Sequence, residues 1–212
     1  MRGRDIKRYS HEFANLYIFT IFPSLKIDIE LYPAVKQHLL SFGYDRLKQT
    51  GNKGARKKTT NQWFEIQDSI SYWEDFYKQK IIYPEITKFL NFYYDERNFL
   101  VNNKCFIVTG TNIHFLTAFF NSSLFKYCFT ESFPELMGGT RELRKIFIEK
   151  LPVLKVSLEV NLQFEKLINK IQTSKDQKEL TIETELEIDN LIFNLYNLDD
   201  EEKSEIGFIE II

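Results

Sequence analysis

Aromatic side chains are the feature that most constrains how this sequence can fold. The 212 residues include 20 Phe and 11 Tyr, and hydrophobic residues make up 43% of the chain against 27% charged residues. Each buried aromatic ring removes roughly 150–250 Å² from water, so a large apolar core is available. This balance is typical of a folded globular protein and excludes a disordered one. No apolar run reaches the length of about 18 residues that a membrane span needs, so we expect no membrane partner.

The first three quarters of the sequence predict a mixture of strands and helices, with strands dominating the first half. Residues 13–30 are rich in β-branched and aromatic residues and indicate two strands around Pro23. A short helix is expected over residues 33–43, because Pro33 suits a first turn and Gly43 suits a cap. Four further elements are predicted: a strand in KQKIIYPEI that ends at Pro84, a hairpin with its turn near Asn102 and Asn103, a helix over residues 113–129, and a strand in RKIFIEKLPVL.

The composition changes at Ser157. Beyond it, apolar residues recur at helical spacing from Val160 to Ile171 and again from Leu186 to Leu198. Asp199 and Glu202 have the spacing of a capping box, which predicts a third short helix. We therefore expect an α+β fold in which a mixed, strand-rich domain over residues 1–156 precedes a helical hairpin over residues 157–212.

The charge is distributed unevenly. Residues 1–60 carry a net charge of +7, residues 61–156 carry none, and residues 157–212 carry −9. A basic beginning and an acidic end suggest a polyanionic partner that contacts the first part only. Two solvated surfaces of opposite sign would give the same pattern, so charge by itself leaves both interpretations open.

Several classes of catalytic site are not supported by the sequence. His11, His38 and His114 lie far apart without ligand partners at helical spacing, and the sequence contains no CxxC pair, phosphate-binding loop or nucleophile elbow. We therefore predict no metal site and no catalytic residues. Cys105 and Cys128 lie in apolar runs and are expected to be reduced, and the first residues lack the apolar segment of a secretory signal, so a cytoplasmic location is expected.

Two basic segments are candidates for phosphate contacts. Lys, Arg, Thr and backbone amides are the groups that bind phosphates, and glycine lets the backbone approach a sugar-phosphate chain closely. The loop over residues 45–61 is polar and basic, and Trp63 at its exit is expected to be a core anchor rather than a stacking platform. A loop of this kind can equally be an exposed polar segment that keeps the protein soluble and binds no partner. The predicted phosphate-binding residues are Arg2, Arg4, Lys7, Arg8, Lys53, Arg56, Lys57 and Lys58.

Six segments in order resemble the C-terminal part of type IIG restriction–modification enzymes, the TaqI-like C-terminal specificity domain. They are RGRDIKRY (2–9), KTTNQWFEIQ (58–67), KIIYPEI (80–86), FIVTGTNIHFLTAFFNSSLFKYCF (106–129), GGTRELRKIFIEKLPV (138–153) and EIDNLIFNLYNLDDEE (187–202). The order of these segments extends over almost the entire chain. In that family the segment follows an adenine-N6 methyltransferase domain and acts as the target recognition domain.

The resemblance implies a division of labour between this chain and a catalytic partner. The methyltransferase and nuclease motifs of the family are absent, which implies a fragment or a separately encoded specificity module that neither methylates nor cleaves by itself. The partners implied are double-stranded DNA and the methyltransferase or nuclease domain of the same enzyme. No cofactor is expected in this chain, since S-adenosylmethionine and Mg²⁺ belong to the catalytic domains. The acidic tail is expected to be a spacer or scaffold.

Base recognition requires a smaller set of side chains. We predict that Thr140, Arg141 and Arg144 read base edges in the major groove, because the glycine pair before them can bring them close to the DNA. Asn61 and Gln62 are second choices, and surface charges without a readout role are the alternative for the two arginines.

Two other functions remain open at this point. One is a protein–protein interaction module whose acidic helical tail binds a basic partner. The other is a stand-alone enzyme with an unrecognised site, which predicts a polar pocket with convergent carboxylates.

Overall fold

The computed structural model describes residues 1–68 and 70–209, and it divides into two compact units. The larger unit comprises Met1–Leu16 and Glu74–Ile212, and the smaller unit is the continuous insertion Tyr17–Trp73. The helices after Ser157 therefore belong to the same compact unit as the strands. The predicted functional division into 1–156 and 157–212 stays a prediction, and residues 210–212 of that tail lie outside the described part.

The regular elements of the described residues alternate between short strands and helices. The strands are β1 (Ile6–Lys7), β2 (Ser10–His11), β3 (Lys80–Pro84), β4 (Ile86–Thr87), β5 (Tyr93–Asp95), β6 (Cys105–Thr109) and β7 (Arg141–Glu142). The helices are α1 (Pro33–Leu40), α2 (Tyr44–Leu47), α3 (Ile113–Phe120), α4 (Ser123–Ser132), α5 (Lys145–Ile148), α6 (Leu158–Asp176), α7 (Ile182–Leu195) and α8 (Asp200–Ile206). The predicted α+β class is confirmed.

The centre of the larger unit is an antiparallel sheet in the order β5–β3–β6. Successive residues of β3 point to opposite faces, so Ile81 enters the main core while Ile82 packs on the other side. Tyr93 and Cys105 contact Ile82 on that second face. The sheet is therefore covered on both sides, which explains why all five residues of β3 are buried.

The main core depends on helix α3. Seven of its eight residues are buried, because it packs against the sheet and against α6. Phe120 stacks on Phe92 with the ring centroids 4.9 Å apart, and Phe125 meets Phe92 edge-on at 5.6 Å. The aromatic content of the sequence is thus concentrated where sheet and helices meet.

One ion pair is fully buried in this sheet. Lys80 Nζ lies 2.5 Å from Asp95 Oδ2, and neither side chain has any exposed surface. Lys80 also donates to the carbonyl of Phe76 at 2.6 Å, and the Asp95 carboxylate accepts from the amides of Arg97 and Phe99, both at 3.0 Å. All the strong hydrogen-bonding positions of the pair are therefore used, as a buried pair requires.

The prediction that the strands on either side of Asn102 and Asn103 pair with each other is wrong. Both β5 and β6 pair with β3 rather than with each other, with Ile82 opposite Tyr93 on one side and Ile107 on the other. The sequence pattern identified the strands but not their partner, because the partner lies earlier in the chain. Asp95 ends β5 by binding the next backbone amides.

The two strands predicted over residues 13–30 are also wrong. Lys26 has a positive φ of 47°, which breaks the extended run after the 3₁₀ helix Pro23–Leu25. Asp28 then caps a second 3₁₀ helix, Ile29–Leu31, by accepting from the amide of Glu30 at 3.0 Å. Local hydrogen bonds replace a ladder here, since no described strand pairs with this segment. The short helix predicted over residues 33–43 is confirmed as α1.

The helix predicted over residues 113–129 is divided at Asn121. Its carboxamide nitrogen donates to the carbonyls of Phe92 and Thr117, at 2.8 and 3.0 Å, and Ser122 caps the next helix by accepting from the amide of Phe125. Polar side chains that bind the backbone compete with helix continuation in this way. The chain therefore turns between α3 and α4.

The strand predicted in RKIFIEKLPVL is wrong, while the tail helices are confirmed. Residues Lys145–Ile148 form α5, and the only strand nearby is the short β7. In the tail, α6 and α7 appear where the apolar spacing places them, and α8 follows the predicted capping box, in which Asp199 and Glu202 make both hydrogen bonds at 2.9 Å. No described helix is both long and apolar enough to cross a bilayer.

The buried pair gives a stability prediction. Lys80→Met leaves the buried Asp95 carboxyl group without its cation, which is expected to lower the free energy of unfolding by about 3–5 kcal/mol. Urea denaturation followed by circular dichroism measures this change. Lys78→Met is the matched control: Lys78 pairs with Asp75 on the surface, so its loss is expected to leave the unfolding midpoint unchanged. Equal midpoints for the two variants would contradict the role of the pair.

Candidate nucleic-acid interface

The predicted contact residues lie in three segments. The N-terminal stretch and the segment after Gly138 and Gly139 belong to the larger unit, and residues 53–62 belong to the smaller one. The question for each cation is whether its charge is free in the protein or already used by another group.

Arg2 is used locally. Its guanidinium forms a bidentate pair with Asp5, with Nη2 2.8 Å from Oδ1 and Nε 3.0 Å from Oδ2. The Arg2 amide also donates to Asp5 Oδ2 at 2.8 Å, which closes the 3₁₀ helix Gly3–Asp5. The Arg2 hydrogen bond is the main reason why the pKa of Asp5 is lowered. The pair therefore shapes the start of the chain.

Arg8 is built into the protein interior. Its guanidinium forms an ion pair with Glu185 of α7 and donates from Nε and Nη2 to the carbonyl of Asn121, at 3.2 and 2.6 Å. Burial lowers the pKa of Arg8. Thr181 and Lys175 complete the surroundings of the Glu185 carboxylate. Arg8 thus joins the N-terminal hairpin to α7 and to the turn between α3 and α4, so its charge is already used inside the protein.

Arg4 and Lys7 are the exposed cations of the N-terminal stretch. The guanidinium of Arg4 has no partner among the described residues. Lys7 lies on β1 and its ammonium is 3.6 Å from the exposed carboxylate of Glu12, a weak surface contact. Both charges are available to a phosphate.

The basic loop of the smaller unit is held in shape by Arg56. Its Nε donates to the carbonyl of Leu47 at 2.8 Å, and Nη2 donates to the carbonyls of Trp63 and Glu65 at 2.6 and 2.9 Å. Partial burial lowers the pKa of this guanidinium. Three backbone segments are joined through one side chain, so Arg56 is a framework residue of the loop.

Gln49 provides the second support of this loop. Its buried carboxamide donates to the carbonyls of Gln62 and Glu65, both at 2.9 Å, and accepts from the Thr59 hydroxyl. The Thr59 amide donates to the Gln49 carbonyl at 3.1 Å. The loop is therefore ordered by its own hydrogen bonds, although its composition is that of a flexible segment.

This framework leaves the lysines on the outside. Lys53 and Lys58 are exposed and their ammonium groups have no partner among the described residues, while exposed Lys57 pairs with Asp68. The Gln62 side chain is exposed, and Asn61 uses its amide nitrogen on the carbonyl of Ile66 at 2.8 Å. The loop can thus present two free positive charges.

Trp63 is half-buried rather than presented to solvent. Its ring meets Tyr44 and Phe64 edge-on, with centroids 5.8 and 5.5 Å apart. Its carbonyl accepts from Arg56. The ring therefore packs against neighbouring aromatic rings at the base of the loop, although Trp63 is not among the fully buried core residues.

The two arginines of the segment after Gly138 and Gly139 have different roles. Arg141 Nη1 donates to the carbonyl of Phe133 at 2.5 Å, its Nη2 lies 3.4 Å from Glu135, and the guanidinium covers the ring of Phe129 at 5.9 Å. Only 15% of the Arg141 side chain is exposed. Arg141 therefore supports the loop, and little of its guanidinium is left to contact a base.

Arg144 and Thr140 are placed differently. Arg144 is exposed at the start of α5 and its Nε lies 2.7 Å from Glu142, an ion pair at the surface. Thr140 donates from its hydroxyl to the carbonyl of Met137 at 3.1 Å. The Arg144 side chain is the better placed of the two arginines to reach a base.

Lys88 is an exposed cation that the sequence reasoning missed. It follows β4, and its stem lies 3.8 Å from the position that a Cβ atom on Gly139 would occupy. Lys88 has no basic neighbours in the sequence, so a search for clusters of Lys and Arg does not identify it as a candidate contact residue. Only the pairing of β4 with β7 reveals that it lies beside the glycine pair.

No described group of three or more His, Cys, Asp or Glu residues is arranged to hold a metal ion. Cys105 and Cys128 are not joined in a disulfide. Burial raises the pKa of the Cys105 thiol to about 11, so this thiol is protonated at neutral pH and is a poor nucleophile.

The chain matches a known protein family. The family model described as the TaqI-like C-terminal specificity domain matches residues 1–153. A search of curated proteins found no match.

The placement of Arg8 gives a second stability prediction. Arg8→Ala leaves the buried Glu185 without its closest cation, which is expected to lower the free energy of unfolding by about 3 kcal/mol. Thermal or urea unfolding measures the loss. Arg4→Ala is the control, because its exposed guanidinium has no partner among the described residues, and its unfolding midpoint is expected to match the wild type. An Arg8→Ala protein as stable as the wild type would show that the ion pair contributes nothing.

Proposed function

Because the chain belongs to the TaqI-like C-terminal specificity domain family, we propose that it recognises a double-stranded DNA target for a restriction–modification enzyme. In this proposal the chain sets sequence choice and register. The methyltransferase or nuclease domain of the same type IIG enzyme performs the chemistry on the target. The family match over residues 1–153 is the observation that carries the proposal.

The basic loop supports the proposal through its charge and its order. Residues 17–73 contain eight Lys or Arg against five Asp or Glu. The loop that carries Lys53 and Lys58 is fixed by Arg56 and Gln49, so two charges are held outward without a carboxylate partner in the described residues. Lysines of this kind bind phosphates and release counterions, which makes binding depend on salt. Lys57 joins them where a phosphate displaces Asp68.

The proposed base contacts are fewer than the predicted ones. Arg144 can present a guanidinium to a guanine edge, and Gln62 can present a carboxamide to an adenine edge. Thr140 and Asn61 are further polar groups beside them in the sequence, with part of their hydrogen-bonding capacity already used. Arg4 and Lys7 supply phosphate contacts from the N-terminal stretch.

The catalytic groups lie outside this chain in the proposal. S-adenosylmethionine and Mg²⁺ would bind to the methyltransferase or nuclease domain. The acidic tail would contact that domain rather than DNA, because like charges repel. Its exposed leucines, which include Leu158 and Leu180, suit an apolar contact of this kind. The same leucines also suit the alternative, a protein–protein interaction module without DNA, and a binding titration distinguishes the two.

The salt dependence of DNA binding tests the proposal. We expect the wild type to bind a 30-base-pair duplex of random sequence, with the logarithm of the affinity falling linearly with the logarithm of salt. Lys53→Ala combined with Lys58→Ala is expected to reduce the slope by about 2, since each phosphate contact contributes about 0.9. Fluorescence anisotropy at four salt concentrations measures the slope.

Lys166→Ala combined with Lys170→Ala is the matched control. These two lysines are exposed on α6, and their replacement changes the net charge by the same amount. The control slope is expected to equal that of the wild type. Identical slopes for both double variants would remove the loop from the interface, and a wild type that binds no duplex at low salt would refute DNA recognition by this chain.

A further inference from the structure

Two turns leave the same end of the short ladder between β4 and β7. Thr87, the last residue of β4, pairs with Arg141, the first residue of β7. Lys88 and Thr140 therefore lie at the same end of the ladder. The stem of Lys88 beside Gly139 agrees with this placement, so the two turns are neighbours in space.

The turn that precedes β7 is closed by its own hydrogen bonds. The Leu136 amide donates to the carbonyl of Thr140 at 2.7 Å, and Glu135 forms a β-bridge with Arg141. Gly138 has a φ of 77°, a conformation that favours glycine, so the chain can reverse within a few residues. Met137 stands at the apex of this turn with 97% of its surface exposed.

The turn that follows β4 is held by a buried threonine. The Thr87 hydroxyl donates to the carbonyl of Phe89 at 2.6 Å and accepts from the Phe89 amide at 3.2 Å. The next residue, Leu90, is anchored in the core. The Phe89 side chain is nevertheless 62% exposed. The backbone of Phe89 is thus held in place while its aromatic ring is exposed to water.

The exposed side chains of Met137 and Phe89, one on each turn, have the chemistry of groups that insert into DNA. Phe and Met are among the apolar side chains that proteins insert between base pairs, which partly unstacks the bases and kinks the duplex. Backbones that are fixed before binding need little further ordering, which favours insertion. Lys88 is exposed and lies beside Gly139, so it can supply a positive charge for a phosphate next to an opened base step.

We propose that Met137 and Phe89 form an apolar wedge that enters the base stack of the bound duplex, with Lys88 on an adjacent phosphate. The inference rests on the proposed function and adds a second way in which the chain could recognise a DNA sequence. A wedge selects base steps that open readily, so it favours certain sequences without hydrogen bonds to bases. The polar residues and the wedge would then read different properties of the same site.

A comparison of two DNA probes tests the wedge. One is a fully paired 25-base-pair duplex, and the other is the same duplex with a central two-nucleotide bulge, in which the stack is already opened. The wild type is expected to prefer the bulged duplex by on the order of tenfold, because the cost of unstacking is removed. Met137→Ala combined with Phe89→Ala is expected to reduce this preference to within about twofold. Met137→Ala alone is expected to reduce it partly, and its 97% exposed side chain is not needed for folding.

Two controls separate the wedge from other effects. Leu180→Ala removes a side chain that is 93% exposed on the acidic tail, and it is expected to leave the preference at the wild-type ratio. Lys53→Ala combined with Lys58→Ala is expected to weaken binding to both probes in proportion and to keep the ratio.

The outcomes distinguish the wedge from the proposed function. A wild type that binds both probes equally overturns the wedge and leaves DNA recognition standing. A double variant that keeps the full preference also overturns the wedge. A wild type that binds neither probe overturns DNA recognition, and the wedge with it.

Discussion

The buried ion pair between Lys80 and Asp95 joins two strands at the centre of the larger unit. Lys80 begins the central strand, and Asp95 ends the strand beside it, so one electrostatic contact fixes where both elements meet. The cost of removing two charges from water is recovered only if every donor and acceptor of the pair is used. The backbone groups of Phe76, Arg97 and Phe99 provide those partners. The pair lies across directly opposite residues of β3 and β5, and the amides that Asp95 binds hold the chain immediately after β5.

A similar requirement determines which cations face outward. Arg8, Arg56 and Arg141 donate to backbone carbonyls, and each ties together segments that are distant or turn sharply. The guanidinium suits this work because its donors lie in one rigid plane, whereas an ammonium is a compact, strongly hydrated charge. Lysines consequently remain at the surface of the basic loop. The division explains how a segment rich in positive charge has an ordered interior and an exposed cationic surface at once.

Elements with local signals were predicted well from the sequence. The tail helices follow apolar spacing and a capping box, and both act between residues a few positions apart. The failures occurred where a distant partner decides the structure. Residues 13–30 have strand composition but no described strand to pair with, and the break between α3 and α4 arises because Asn121 binds Phe92 from another element.

The candidate site shows the same limit. Composition revealed the basic segments, but it could not show that Arg8 and Arg141 are used inside the protein or that Lys88 lies beside the glycine pair. Burial and pairing are properties of the folded chain, and side chains of the same type therefore have opposite roles. Family resemblance supplied the function class, while contacts in the structure decided which residues remain free to act.

The insertion of residues 17–73 into the larger unit has a consequence for how such proteins diversify. The smaller unit is one uninterrupted stretch of chain, so its exchange for another sequence requires only two junctions, near Leu16 and Glu74. Its basic loop is ordered by hydrogen bonds within the same stretch. A replacement cassette would carry its own scaffold with it, and new variants could arise by recombination while the aromatic core is inherited intact.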